Sequence, residues 1–263
     1  MALGFDRRGD GPPLVLLHAL GADRRVWDPV IDRVAQEREV IALDLPGFGS
    51  SPPLKGPEPP TPAALAAAIA GFLDDLGVPA PHVAGNSLGG WVALELALAG
   101  KARSVTAIAP AGLWPQPLMP KRGIARAVAR VTLAAMPALT RSVAGRRFFL
   151  GSVVAHPERV PPAAALALVR AYATATGFRA VNDAMRANRF TALERIGAPV
   201  TLAWAEHDRL VTPPAHVPPG VRTRILSDCG HLAMWDDPKQ VARVLLAGSA
   251  SRGSARRPDT SVI

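Results

Sequence analysis

Apolar residues along this chain arrive in short runs set between turn-forming residues. "PLVLLHA" (Pro13–Ala19), "VIALD" (Val40–Asp44), "HVAGN" (His82–Asn86), "SVTAIAP" (Ser104–Pro110), "PVTLAWA" (Pro199–Ala205) and "TRILSD" (Thr223–Asp228) are rich in Val, Ile, Leu and Ala at consecutive positions. That pattern predicts strands buried on both faces of a helix-covered parallel sheet. Longer segments with a helical repeat fall between them: Val26–Glu37, Thr61–Gly77, Leu88–Gly100 and Asp237–Gly248. The second carries its own boundaries, with Thr61 as N-cap, Pro62 at the first helical position and Gly77 at the close. The alternation predicts an α/β protein: an open, mostly parallel, doubly wound sheet with right-handed crossovers.

The rhythm breaks between Trp114 and Arg195, where no buried-type strand run occurs. "RGIARAVARVTLAAM" places Arg122, Arg126 and Arg130 four residues apart beside Ile124, Ala127, Val128 and Val131, which predicts an amphipathic helix with one basic stripe. "AAALALVRAYATA" predicts another helix. The expected organisation is a core made of residues 1–113 and 196–248, a helical cap inserted at 114–195, and a disordered tail at 249–263, where "SASRGSARRPDTSVI" has no core pattern.

Charge sharpens this division. The formal net charge is +9. From Trp114 to Arg195 there are 13 Lys/Arg against 3 Asp/Glu, a net of +10, so the rest of the chain is near balance. An Arg-rich solvated face is the expectation, and nucleic acid is not expected as a partner. One Cys excludes an internal disulfide framework and cysteine zinc sites. No basic segment followed by an apolar run opens the chain, and no stretch has the roughly 20 apolar residues of a membrane span. A cytoplasmic protein is the expectation; the oligomeric state is not readable.

One short stretch suggests chemistry. In "VAGNSLGGWVALEL", Ser87 stands between Gly85 and Gly89, after a predicted strand and before a predicted helix. A hydroxyl on such a tight turn is raised above the sheet, and the glycines are needed because side chains there would collide with a neighbouring strand or helix. A serine nucleophile needs a base, and the base an orienting acid. Of six histidines, His231 in "DCGHLAMWDDP" directly follows a strand end. Asp208 in "WAEHDRLVTPP" follows another, and strand C-terminal ends are where open α/β sheets place their sites. The chain order is Ser87, Asp208, His231.

These segments resemble the α/β-hydrolase superfamily. "LLHALGADRRVWDPV" is similar to its oxyanion loop, "ALDLPGFGSS" to its D-x-P-G-x-G-x-S segment, "GNSLGG" to its nucleophile elbow, "AEHDRLVTPP" to its acid turn and "CGHLAMWDDP" to its His loop. The resemblance runs from Leu14 to Leu246 and implies catalysis by Ser87, Asp208 and His231, with the backbone N–H groups of Leu20 and Leu88 as oxyanion hole. It also implies two differences. The family's Gly after the loop His is Ala19 here, which would be strained if that position takes positive φ. Two strands normally precede the run at Pro13, so one N-terminal edge strand is expected to be missing or reduced.

The activity implied is a cofactor-independent serine hydrolase, metal-free, that cleaves a small ester or lactone through an acyl-enzyme. The basic cap allows an anionic small-molecule substrate without requiring one. Two alternatives stand beside it: hydrolysis of a carbon–carbon bond in a meta-ring-cleavage product, and a non-catalytic ligand receptor that keeps the triad. Ala19, Asn86, Trp114, Met119, Leu210 and Leu232 are the expected pocket residues. His18 and Asp44 are expected to brace loops, His207 to face solvent, and Cys229 to fill space in the core.

Overall fold

The computed structural model describes residues 1–119 and 124–250. Arg122 of the expected basic stripe and residues 251–263 of the expected tail lie outside them. Among the described residues seven strands form one sheet: β1 (Phe5–Arg8), β2 (Pro13–Leu17), β3 (Glu39–Leu43), β4 (His82–Asn86), β5 (Ser104–Ile108), β6 (Val200–Ala205) and β7 (Arg222–Leu226). Their order is β1-β3-β2-β4-β5-β6-β7. Every pairing is parallel except β1 with β3.

Alternating side chains feed two cores, one on each face of the sheet. Val15, Leu17, Ile41, Leu43, Val83, Leu202 and Trp204 lie on one face, under α2 (Pro62–Asp75) and α3 (Leu88–Leu98). Leu14, Leu16, Val40, Ala42, Ala84, Ala203 and Ala205 lie on the other, under α1 (Asp28–Val34) and the last helix, α9 (Pro238–Gly248). This is the two-sided burial that the consecutive apolar runs demanded. Thr61 caps α2, its hydroxyl accepting from the Ala64 N–H at 3.2 Å, and Gly77 closes it at φ +75°.

Two strands depart from expectation. β1 reads "FDRR", with one apolar position and no alternation long enough to detect. It holds the edge by pairing, with Arg7 bonded to Glu39 of β3 at 2.7 Å. Of the two strands implied before Pro13, this one forms. β7 was expected to be buried, but only Leu226 is. As the opposite edge strand it needs one covered face at most.

Between β5 and β6 the described residues hold five helices: α4 (Ile124–Val131), α5 (Met136–Leu139), α6 (Val143–Leu150), α7 (Pro162–Thr174) and α8 (Phe178–Arg186). α4 inverts the expected face. Ile124 and Val131 are 69% and 82% exposed, whereas Ala129 is buried. Arg126 turns inward, donating from Nε to the Tyr172 carbonyl at 2.9 Å and from Nη2 to that of Ala175 at 2.5 Å, with its guanidinium 4.9 Å from the Phe178 ring. The arginines here are therefore not simply a solvated face. Arg146, buried, donates to the carbonyls of Thr140, Arg141, Pro157 and Glu158. These contacts satisfy backbone groups that several short helices and turns cannot pair internally.

At the C-terminal end, Ser249 is buried and its hydroxyl accepts from Arg38 Nε at 3.0 Å. Ordered structure thus extends past the expected boundary at 248.

Candidate active site

The strand-to-helix turn between β4 and α3 is shaped by backbone contact. Ser87 has φ +55° and ψ −114°, a conformation that costs a non-glycine residue roughly 1–3 kcal/mol. Its N–H donates to the Ile108 carbonyl at 2.9 Å, and its own carbonyl accepts from Trp91 and Ala111. A Cβ on Gly85 would sit 2.1 Å from the Gly89 oxygen, and one on Gly89 would sit 2.2 Å from the Leu17 oxygen. No side chain fits at either position, as the glycine frame implied. The Leu88 N–H opens α3, where the first-turn donors lack intrahelical partners and the helix dipole favours negative charge.

Asp208 and His231 meet at the ends of β6 and β7. Asp208 Oδ2 lies 2.8 Å from His231 Nδ1, and both side chains are almost fully buried. The other carboxylate oxygen accepts the N–H groups of Leu210 and Val211 at 2.8 and 3.0 Å. Burial pushes the Asp208 carboxyl up. The His231 hydrogen bond and charge outweigh that together with the two N–H groups, and the carboxyl stays below the usual carboxylate range. An ionised Asp208 fixes the proton on Nδ1, which leaves Nε2 as the ring nitrogen able to accept one.

Asn86 joins the two halves. Its side-chain amide donates to the Ile108 carbonyl at 3.1 Å and to the His231 carbonyl at 3.0 Å. The residue before Ser87 thus grips the backbone of His231. Asp236 holds the same loop from the other side, accepting from Gly230, His156 and Ala155 at 2.8–3.0 Å. Sequence reading placed Asn86 in the pocket and did not assign Asp236. A trace was present in "WDDP": Asp237 caps α9, which leaves a second acid in need of another duty.

In the loop after β2, His18 Nδ1 donates to the Ala19 carbonyl at 2.8 Å and Nε2 accepts from the Leu45 N–H at 2.9 Å. Both ring nitrogens are occupied, so His18 braces its loop. Burial holds its pKa down, against the opposing pull of the Ala19 carbonyl, Asp44 and Asp23. Asp44 accepts from the N–H groups of Arg24 and Ser50, also a brace. Ala19 is not among the residues with positive φ; in this loop Gly21 is, at +78°. The strain anticipated for Ala19 does not arise, and Leu20 follows in an unstrained backbone. Cys229 is fully buried, and burial pushes its thiol up to about 12.

The expected pocket residues divide. Ala19 and Leu232 are buried in the core, and Asn86 is consumed by its two carbonyl partners. Trp114 stacks edge-on to Trp91 at 5.6 Å and donates to the Asn188 carbonyl, tying the helical segment to the core. Met119 and Leu210 stand 81% and 53% exposed, so neither is enclosed here. A cavity of about 230 Å³ lies beside the His231 loop, lined by Val154, His156, His207, Arg209, Asp228 and Gly230. None of the expected pocket residues lines it.

Ser87, Asp208 and His231 follow the C-terminal ends of β4, β6 and β7 in a mostly parallel α/β sheet. Residues 14–244 match the alpha/beta hydrolase family, and the chain belongs to it. The dihydrolipoyllysine-residue acetyltransferase component of the acetoin cleaving system of Cupriavidus necator is 31% identical over 242 residues, 88% of this chain. That match covers 62% of the relative, so the chain spans less than two-thirds of its length. Epoxide hydrolase EphH of Mycobacterium tuberculosis is 31% identical over 197 residues, 70% of this chain and 92% of that one. The enol-lactonase from Burkholderia xenovorans superposes with a TM-score of 0.73 at 22% identity, over 93% of this chain and 95% of that one, a likeness of fold. Among the described residues, no helix is long and apolar enough to cross a membrane.

Proposed function

We propose that the protein is a serine hydrolase that cleaves a small ester or lactone through an acyl-enzyme. The observation that carries this reading is the Asp208–His231 pair at 2.8 Å, tied by Asn86 to the turn that bears Ser87. Ser87 Oγ attacks the substrate carbonyl and its proton passes to His231 Nε2. The Leu20 and Leu88 N–H groups stabilise the oxyanion, a contribution of roughly a hundred- to a thousandfold per donor. Collapse expels the alkoxide, which takes the proton from His231, and leaves an ester on Ser87. Water then attacks that ester, giving its proton to His231, and the acid departs as Ser87 regains a hydrogen.

Ser87 also separates this chemistry from epoxide opening, which the name of one relative would suggest. An aspartate at the elbow would favour that reaction, and this chain has none there. The helices between β5 and β6 act as the cap that selects the substrate. Residues 114–195 form this cap on the core of residues 1–113 and 196–248.

Labelling with a fluorophosphonate probe, with Ser87→Ala as control, tests the reading. The wild-type chain takes up the probe and hydrolyses p-nitrophenyl acetate; the variant does neither while its circular dichroism is unchanged. Turnover that persists in the variant places the chemistry elsewhere. Turnover of a vinylogous diketone acid but of no ester or lactone replaces the proposal with carbon–carbon hydrolysis.

A further inference from the structure

A groove runs between α9 and the edge strand β7, near the N-terminal ends of β6 and β7. Ser87, Asp208 and His231 all follow C-terminal strand ends, so the groove lies at the opposite end of the parallel sheet. Its cavity is about 320 Å³, and its lining includes Thr201, Arg222, Arg224, Gln240, Arg243 and Gly248. The register explains the cluster. Thr201 pairs with Arg222 across β6 and β7, which puts both on one face, and Arg224 follows two residues on. Arg243 comes from the facing helix, one turn after Gln240.

Two features distinguish this cluster from an ordinary basic surface. Among the described residues, none of the three guanidinium groups is in an ion pair. Three cations that share one cavity repel each other unless an anion sits between them. The second feature is Thr201, 4% exposed, whose Oγ1 is buried with no hydrogen-bond partner. A buried hydroxyl without a partner is costly, and Thr201 is one of the residues that line the arginine-rich cavity.

We propose that this groove binds a small phosphomonoester, its phosphate held by Arg222, Arg224 and Arg243 with the Thr201 hydroxyl as the buried donor. Guanidinium forks match tetrahedral oxyanions two bonds at a time. A phosphate group carries about −1.5 to −2 charges near neutrality and has three acceptor oxygens, enough for several forks and a hydroxyl. The cavity equals roughly ten water volumes at about 30 Å³ each, room for an organic portion beyond the phosphate.

The test uses the full chain with inorganic phosphate and phenyl phosphate as probes, in buffer held at constant ionic strength with NaCl. Titrations are followed by amide chemical shifts and by calorimetry. The expected result is saturable binding, tighter for phenyl phosphate, with shifts confined to residues 200–201, 222–224 and 240–248. Arg222→Ala with Arg243→Ala weakens binding by about tenfold or more, and Arg243→Glu abolishes it. These arginines are exposed, so the variants keep the wild-type Tm in phosphate-free buffer. Thr201→Val weakens binding a few-fold without lowering Tm. Shifts that vanish at matched ionic strength, or binding that survives Arg243→Glu, overturn the proposal. Succinate binding as tightly as phenyl phosphate overturns the choice of phosphate, and unchanged affinity in Thr201→Val overturns the buried donor. Because no readout involves Ser87, failure here leaves the hydrolase reading untouched, and the converse holds.

Discussion

The β4–α3 turn and the helical segment between β5 and β6 are fastened by opposite means. At the turn, backbone meets backbone: the site of a Gly89 Cβ is 2.2 Å from the Leu17 oxygen, and no side chain intervenes. In the helical segment, long side chains bridge backbone that stays apart, with Arg126 and Arg146 spanning to six carbonyls. The first arrangement fixes geometry because nothing in it can rotate. The second holds short helices in place through groups that can exchange partners. The proposed nucleophile, Ser87, sits on the first, and the proposed cap is built from the second.

The contrast can be broken from the rigid side. Gly89→Ala forces a methyl into the Leu17 carbonyl and should destabilise the fold by more than about 4 kcal/mol. It is read as loss of soluble, cooperatively unfolding protein, and a variant that keeps the wild-type Tm would refute the close-approach argument. From the compliant side, Arg146→Ala strips four carbonyls of their donor and should cost about 2–3 kcal/mol in denaturant unfolding. Arg146→Lys should recover little of it, because an ammonium lacks the fork.

A pH series sharpens the comparison. His82 opens the central strand β4 and is buried, its Nδ1 bonded to Ser104 at 2.8 Å and its Nε2 without a partner among the described residues. Burial, with Arg103 and Arg38 nearby, lowers its pKa to about 4. Its folded value lies below the ordinary histidine value of 6.5, so the unfolded chain takes the proton first. Core stability should therefore be full above pH 6.5, fall as pH drops toward 4, and fall less steeply in His82→Gln. The smallest effect belongs to the exposed pair Arg8–Asp32: Arg8→Ala should change stability by no more than about 0.5 kcal/mol, and a larger loss would show that edge strand β1 depends on it.

Much of this architecture could be read from the chain because parallel strands, covered on both faces, leave unbroken apolar runs. β4 was placed with both ends as observed, from "HVAGN" alone. The turn residues Gly85, Ser87 and Gly89 were equally visible, since steric exclusion acts within a few residues. What escaped depends on tertiary partners. β1 has no apolar pattern and exists by virtue of β3. α4 obeyed its helical repeat but turned the other way, because periodicity cannot know that Arg126 will find the carbonyls of Tyr172 and Ala175. The bracing role of Asn86, and Asp236 altogether, are hidden for the same reason, since both act on backbone that is remote in the sequence.

The exposed edge of β7 carries a last consequence. Among the described residues no strand pairs with its outer edge, and Ile225 is more than half exposed. A second copy docking there would set guanidinium against guanidinium along Arg222 and Arg224, and such like-charge contact resists sheet extension. Self-association along this rim should therefore grow with added salt, since screening weakens that repulsion.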